Sequence, residues 1–167
     1  QNNPWLPSFV LPRDPAVATI IGAARRHLVT LLDDPNAAFV GYQTEESEPD
    51  DDGESVDLQV QAIWTALVQD YASLYTNPPP AYSLRNQRLR TPSEILASRS
   101  GTCIDLALLL ASCLEYVDIY PVIVLLNGHA FVGYWRRSCF HDEFRSIASV
   151  PPNIGIEIGP LAIRSPI

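Results

Sequence analysis

Apolar residues recur with helical spacing in three long stretches of the chain. The first covers residues 15–32, with Asp14 as the helix N-cap and Pro15 in the first turn. The second covers about 56–75, and its pattern predicts one apolar face that consists of Val60, Ile63, Trp64, Leu67, Val68 and Tyr71. The third, residues 103–115, is apolar on almost every side, so we expect this helix to lie in the centre of the fold.

The last third of the chain has the composition of strands. PVIVLL at 121–126 and HAFVGYW at 129–135 are predicted strands, joined by Asn127-Gly128, which is a strong hairpin signal. We expect the polar stretch RRSCFHDEF that follows to be a loop and NIGIEI at 153–158 to form a final strand. Helices first and an antiparallel sheet afterwards predict an α+β domain in which the central helix packs on a small sheet.

The connecting segments set the domain organisation. Residues 1–13 contain three prolines and predict an extended arm on the surface of the domain, while 14–167 form a single domain with an acidic loop at 44–57. TNPPPAYSLRNQRLRTP at 76–92 is predicted to be irregular because of its prolines. PSEILAS at 92–98 predicts a short helix.

Length and charge limit the classes of protein that fit. A chain of 167 residues, 47% hydrophobic, is large enough to bury one core. The net charge is −8, but eight of the 19 acidic residues lie at 45–57, and the other 11 balance the 11 basic residues. We interpret the acidity as a solvated loop, with a docking or regulatory segment as the alternative. No basic stripe offers a surface to nucleic acid, and no apolar run reaches membrane-spanning length.

The cysteines indicate the compartment. Cys103, Cys113 and Cys139 have neither the number nor the spacing of a disulfide framework, so we expect a reducing compartment, the cytoplasm. Cys139, His141 and Asp142 lie close together in sequence, but no second cluster of ligands would complete a zinc site. We therefore expect neither a metal nor an organic cofactor.

Cys103 is the candidate nucleophile because it opens the third helix behind a glycine and a threonine. The unpaired N–H groups and the positive end of the dipole at a helix start favour a thiolate, which is the reactive form of cysteine. His129, at the start of a strand after a tight turn, is the candidate base. Cys113 lies deep in the apolar helix and is expected to pack, and Asp105 is expected to hydrogen-bond locally.

Several stretches of this sequence resemble a known family. RTPSEIL, GTCIDLALLLASCLE and GHAFVGYW resemble the transglutaminase-like cysteine peptidase superfamily, and most closely a transglutaminase-like module of large bacterial multidomain proteins. GYQ at 41–43 and TNPPPAYS at 76–83 are also similar to that module. The resemblance therefore covers most of the chain.

The resemblance implies a papain-like fold and assigns roles to residues. It makes Cys103 the nucleophile and His129 the general base, and it places an acid on the next strand to orient the imidazole. Glu157 in IGIEIG matches that acid, with Asp142 as the alternative. Gln87 in NQRLRTP matches a glutamine whose amide, with the N–H of Cys103, would form the oxyanion hole.

These features predict a cysteine-dependent amide hydrolase, either a protease or a glutamine deamidase, that acts through an acyl-thioester. A transamidase, in which an amine attacks the thioester, is one alternative. A module that binds a peptide or a neighbouring domain without turnover is another, and an effector or toxin domain of a larger protein is a third. The expected partners are a protein or peptide substrate and other domains of a longer polypeptide.

Overall fold

The computed structural model of the chain describes residues 6–43, 52–71, 75–77 and 88–148. The α-helices in this part are α1 (Pro15–Leu32), α2 (Glu54–Gln69), α3 (Pro92–Ser98), α4 (Cys103–Tyr116) and α5 (Ser138–Ala148). The strands are β1 (Pro121–Leu126) and β2 (His129–Tyr134). A 3-10 helix, Leu6–Phe9, precedes α1. The described part of the chain is therefore a mixed α+β fold, which confirms the predicted class.

α4 lies at the centre of this fold. It packs against α1, α2 and α3 and against both strands. Most of its residues are buried, including Leu108, Leu109 and Leu114. A helix with neighbours on most sides has to be apolar on most sides, which explains its composition. The central position predicted from the sequence is confirmed.

Strong local signals fix α1, α3 and the hairpin where the sequence predicts them. The side chain of Asp14 accepts a hydrogen bond from the N–H of Ala16 (2.9 Å) at the start of α1. Thr91 and Glu94 cap α3 reciprocally. β1 and β2 pair in antiparallel register, and the turn between them holds Gly128 at a φ of 80°.

α2 differs from its prediction in both its ends and its buried face. It ends at Gln69 rather than near residue 75, and Trp64 and Val68 are 47% and 51% exposed. The buried residues are Val56, Gln59, Ala62, Ile63 and Ala66. Gln59 lies inside because its side-chain oxygen accepts from the N–H groups of Val40 and Gly41, at 2.9 Å each. The predicted face is confirmed for Ile63, which is buried, and for Val60, Leu67 and Tyr71, which pack against the core. It is wrong for Trp64 and Val68, because Gln59 and two alanines face the core in their place.

The predicted acidic loop at 44–57 is too long. Residues 54–57 form the first turn of α2, where acidic side chains favour the positive end of the helix dipole. Asp57 binds the guanidinium of Arg136, with Oδ2 2.8 Å from Nη2, and accepts from the hydroxyl of Tyr134 (2.8 Å). These contacts tie the start of α2 to the end of β2. Residues 44–51 lie outside the described part of the chain.

Two further segments depart from prediction. The RRSCFHDEF stretch, expected to be a loop, contributes to α5, whose aromatic side chains pack on the end of the hairpin: the rings of Phe144 and Trp135 are 5.3 Å apart. Residues 6–9, expected to be extended, form the 3-10 helix, in which Leu6 is buried. The predicted strand at 153–158 lies outside the described residues.

Candidate functional site

Cys103 is the first residue of α4 and its side chain is half-buried. It packs against a small apolar cluster, called here the Cys103 cluster. The buried members of this cluster are Leu6, Ile104, Ala107, Leu108 and Ala130. The thiol therefore lies where the 3-10 helix, the start of α4 and the start of β2 come together.

The turn that presents Cys103 is held by neighbouring chain segments. Tyr75 and Gly101 form an isolated parallel bridge, and the N–H of Thr76 donates to the carbonyl of Gly101 (2.8 Å). Asp105 is fully buried and binds the main chain and hydroxyl of Thr102, which confirms its predicted local role. The turn before Cys103 is thus held by hydrogen bonds with segment 75–76 and with the side chain of Asp105.

His129 opens β2 opposite Leu126 and is exposed. The next residue, Ala130, points into the Cys103 cluster. The start of β2 therefore lies beside the start of α4. Because side chains alternate along a strand, the side chain of His129 is on the exposed face opposite Ala130. Within the described ranges, no hydrogen bond joins the thiol to the imidazole.

Of the other predicted site residues, Asp142 lies within the described ranges. Glu157 and Gln87 lie outside the described residues. Leu89, two positions after Gln87, packs against the Cys103 cluster. Asp142 lies on α5 with its carboxylate 75% exposed and 3.5 Å from Nδ1 of His141. In the part of the chain that is described, nothing bonds Asp142 to His129.

Cys113 and Cys139 differ in how far their thiols are buried. Cys113 is fully buried, and burial raises the pKa of its thiol to about 12, so it stays protonated at neutral pH. Cys139 is exposed on α5. Cys103 and Cys139 are therefore both accessible and both lie in the first turn of a helix, α4 and α5 respectively. Cys103 differs in that it is half-buried and packs against the Cys103 cluster.

One residue at this site was not anticipated from the sequence. Arg90 donates to the Asp105 carboxylate from its main-chain N–H (3.0 Å) and from Nη1 (3.1 Å). The spacing of Thr102 and Asp105 is a helix-start signal, but Arg90 is 15 positions from Asp105, and no local pattern predicts that contact.

A groove of about 790 Å³ shares Leu6 and Ile123 with the Cys103 cluster. The 3-10 helix, the segment after α4, β1 and His141 line it, and neither Cys103 nor His129 does. Over the described residues, no group of three His, Cys, Asp or Glu side chains could hold a metal ion. None of the helices formed there is long and apolar enough to cross a membrane.

A comparison of the chain with models of protein families, with curated proteins and with solved structures finds no match in any of the three.

Proposed function

We propose that this chain is a cysteine-dependent amide hydrolase of the transglutaminase-like kind, with a papain-like fold and Cys103 as its nucleophile. The observation that carries the proposal is the shared cluster: the first residue of α4 is a half-buried cysteine, and the strand beginning with His129 packs into the same cluster. Thiol acyl transfer needs the base within hydrogen-bond reach of the sulfur, so catalysis requires the imidazole of His129 to approach Cys103 when substrate binds.

The proposed reaction has two halves. His129 takes the proton of the Cys103 thiol, and the sulfur attacks the carbonyl carbon of a peptide or glutamine amide. The C–N bond of the tetrahedral intermediate then breaks, and the imidazolium gives its proton to the departing amine or ammonia, leaving an acyl-thioester. Water, deprotonated by His129, attacks the thioester, and the products are a carboxylic acid and the regenerated thiol.

The supporting roles are proposed on the sequence resemblance. Glu157 orients the imidazole of His129, and Gln87 joins the N–H of Cys103 in the oxyanion hole. Asp142 is the weaker candidate for the acid, because its exposed carboxylate lies beside His141 on α5. The substrate is a protein or peptide, and in a longer polypeptide neighbouring domains would present it.

A binding module without turnover is the second candidate. The exposure of His129 and the lack of a thiol–imidazole hydrogen bond among the described residues favour it. Apo catalytic contacts are often long and tighten with substrate, so this geometry does not decide against catalysis.

The test is a turnover assay on a denatured glutamine-containing protein, with ammonia release and new peptide ends measured separately. We expect the wild type to produce either ammonia or new peptide ends. Cys103→Ala should lose this activity and Cys113→Ala should retain it. Adding a small primary amine distinguishes transamidation, because the amine would be incorporated into the substrate. Activity that survives Cys103→Ala would contradict the proposal, and a fully inactive wild type would favour the binding module.

A further inference from the structure

The carboxylate of Asp105 lies at a junction between two chain segments. Its side chain is fully buried, while that of Arg90 is 38% exposed. Four donor groups point at the carboxylate: the N–H and Nη1 of Arg90, at 3.0 and 3.1 Å, and the N–H and hydroxyl of Thr102, at 3.0 Å each. All four partners donate, so an ionised carboxylate satisfies them and a neutral side chain cannot.

This arrangement exceeds what capping of α4 needs. An N-terminal capping box requires only the reciprocal bonds between Thr102 and Asp105. A buried carboxylate is unfavourable unless it is both paired and fully hydrogen-bonded, and Arg90 supplies the charge that pairs with it. The chain therefore keeps an ion pair where an ordinary cap would have served.

The junction also lies next to the proposed nucleophile. Asp105 is two residues after Cys103 on α4, and Leu89, next to Arg90, packs against the Cys103 cluster. The other titratable or charged groups on the elements packed here are Arg88, Glu94, Arg99, Glu115 and His129, and Arg88 pairs with Glu94 at 2.6 Å. Loss of the guanidinium would leave the buried carboxylate of Asp105 without its paired charge in the first turn of α4 and would remove a bond that holds segment 88–90 there.

We propose that Arg90 and Asp105 are a positioning pair for Cys103, which holds segment 88–90 against the first turn of α4 and keeps that turn favourable to an anionic sulfur. The proposal rests on the proposed function, because it assigns the pair to the nucleophile of that reaction. The pair touches neither substrate nor reacting atoms and acts through the turn.

The test compares the rate of Cys103 alkylation by iodoacetamide at about pH 6 with the rate at about pH 9.5, where an ordinary thiol is largely ionised. The ratio of the two rates follows the thiolate fraction and cancels changes in access. We expect Arg90→Met to lower the ratio about fivefold, the size of a helix-terminus charge effect. Arg25→Met is the matched control, because Arg25 bonds the carbonyl of Ala37 instead (3.1 Å). Its ratio should stay at the wild-type value.

A second pair of variants covers the case in which Arg90→Met does not fold. Thr102→Val removes one hydroxyl donor from Asp105 and should lower the ratio, while Thr102→Ser keeps the donor and should restore it. An unchanged ratio in Arg90→Met, or equal ratios in the two Thr102 variants, would overturn the proposal. The readout needs no substrate, so turnover that survives Cys103→Ala would overturn the proposed function and leave this result standing.

Discussion

At the scale of single residues, the three cysteines of this chain differ by environment. Cys103 is half-buried at a helix start, Cys113 is fully buried within the same helix, and Cys139 is exposed on α5. Reactivity of a thiol follows its ionisation and its access to solvent. The structure therefore separates a candidate nucleophile from a packing residue that lies ten positions away on one helix.

Cys113 should make the stability of the protein depend on pH in the alkaline range. Burial raises the pKa of its thiol to about 12 in the folded state, so the unfolded chain loses this proton first as pH rises. The contribution is fully present below about pH 8.5 and is lost toward about pH 12, at roughly 1.4 kcal/mol for each pH unit. Urea unfolding of wild type and Cys113→Ala between about pH 7 and about pH 10.5 measures it.

The variant provides the control for this prediction. Burial and the hydrogen bond to Asp57 also raise the pKa of Tyr134, which adds a loss of the same sign in both proteins. The difference between the two slopes isolates the thiol. Equal slopes would contradict the assigned burial of Cys113.

Replacing each helix cysteine should separate stability from chemistry. Cys113→Ser puts a hydroxyl among buried apolar side chains and should lower the free energy of unfolding by about 1–3 kcal/mol. Cys103→Ala removes a half-buried sulfur at a helix start and should lower it by less than about 1 kcal/mol. Chemical denaturation measures both, and a larger loss in Cys103→Ala would mean that its sulfur is mainly structural.

At the scale of elements, the junction between α2 and β2 shows how distant segments are joined. Gly53 precedes α2 with a φ of 84°, and a Cβ there would lie 2.9 Å from both the Cβ and the carbonyl oxygen of Arg136. Only glycine at position 53 lets the main chain come this close to Arg136, and this proximity lets the Asp57–Arg136 ion pair form. The end of the acidic segment is therefore a docked feature of the fold.

Two glycine variants measure that contact. Gly128 has a similar φ of 80°, but no atom lies within 4 Å of a Cβ added there. Gly128→Ala should therefore cost about 1 kcal/mol, the strain of a left-handed backbone. Gly53→Ala should cost a further 1–3 kcal/mol or so, because the contact with Arg136 must also open. Thermal or urea unfolding compares the two, and equal costs would show that the contact with Arg136 is not close.

The elements predicted correctly from the sequence are those with local signals. Asp14 with Pro15 marks the start of α1, Asn127-Gly128 marks the hairpin, and the continuous apolar run marks α4. α5 was missed because its aromatic side chains find partners only on the folded hairpin: the ring of His141 lies 4.1 Å from that of Tyr120. A short polar helix of this kind is stabilised by tertiary contacts that its own sequence does not reveal.

At the scale of the whole molecule, α4 is the element that connects the helices to the hairpin. This helix contacts α1, α2, α3 and both strands. An isolated two-stranded hairpin is only marginally stable in water, so β1 and β2 depend on their packing against α4. The rings of Phe140 and Phe144 on α5 are 47% and 45% exposed. The fold thus has a buried central helix that carries Cys103 at its start and a more exposed helix, α5, at its edge.

Hydrogen exchange should follow this gradient. Amides in the middle of α4, such as those of Leu109 and Cys113, should exchange only through global unfolding, and those of α5 should exchange through local opening at lower free energy. Mass spectrometry or NMR under native conditions measures both. Equal protection of the two helices would contradict the gradient.

The candidate site, like α5, could be predicted only in part, because some of its contacts join segments that are far apart in sequence. Cys103 and Asp105 were recognisable because helix starts have local signatures, and His129 because it follows a hairpin turn. The contact of Arg90 with Asp105 and the shared cluster of Leu6, Cys103 and Ala130 arise from chain crossings far apart in sequence. Such contacts depend on the packed fold and have no periodic signal in the chain.

The most direct test of the central claim is to map where one equivalent of iodoacetamide labels the native protein at about pH 6, where an ordinary thiol is almost entirely protonated. Intact-mass analysis followed by peptide mapping should find a single label on Cys103 and none on buried Cys113. Denatured protein treated with excess reagent at alkaline pH should carry labels on all three cysteines. Preferential labelling of Cys139, or equal slow labelling of Cys103 and Cys139, would contradict the account, because Cys103 would then be no more than an ordinary thiol at a helix start.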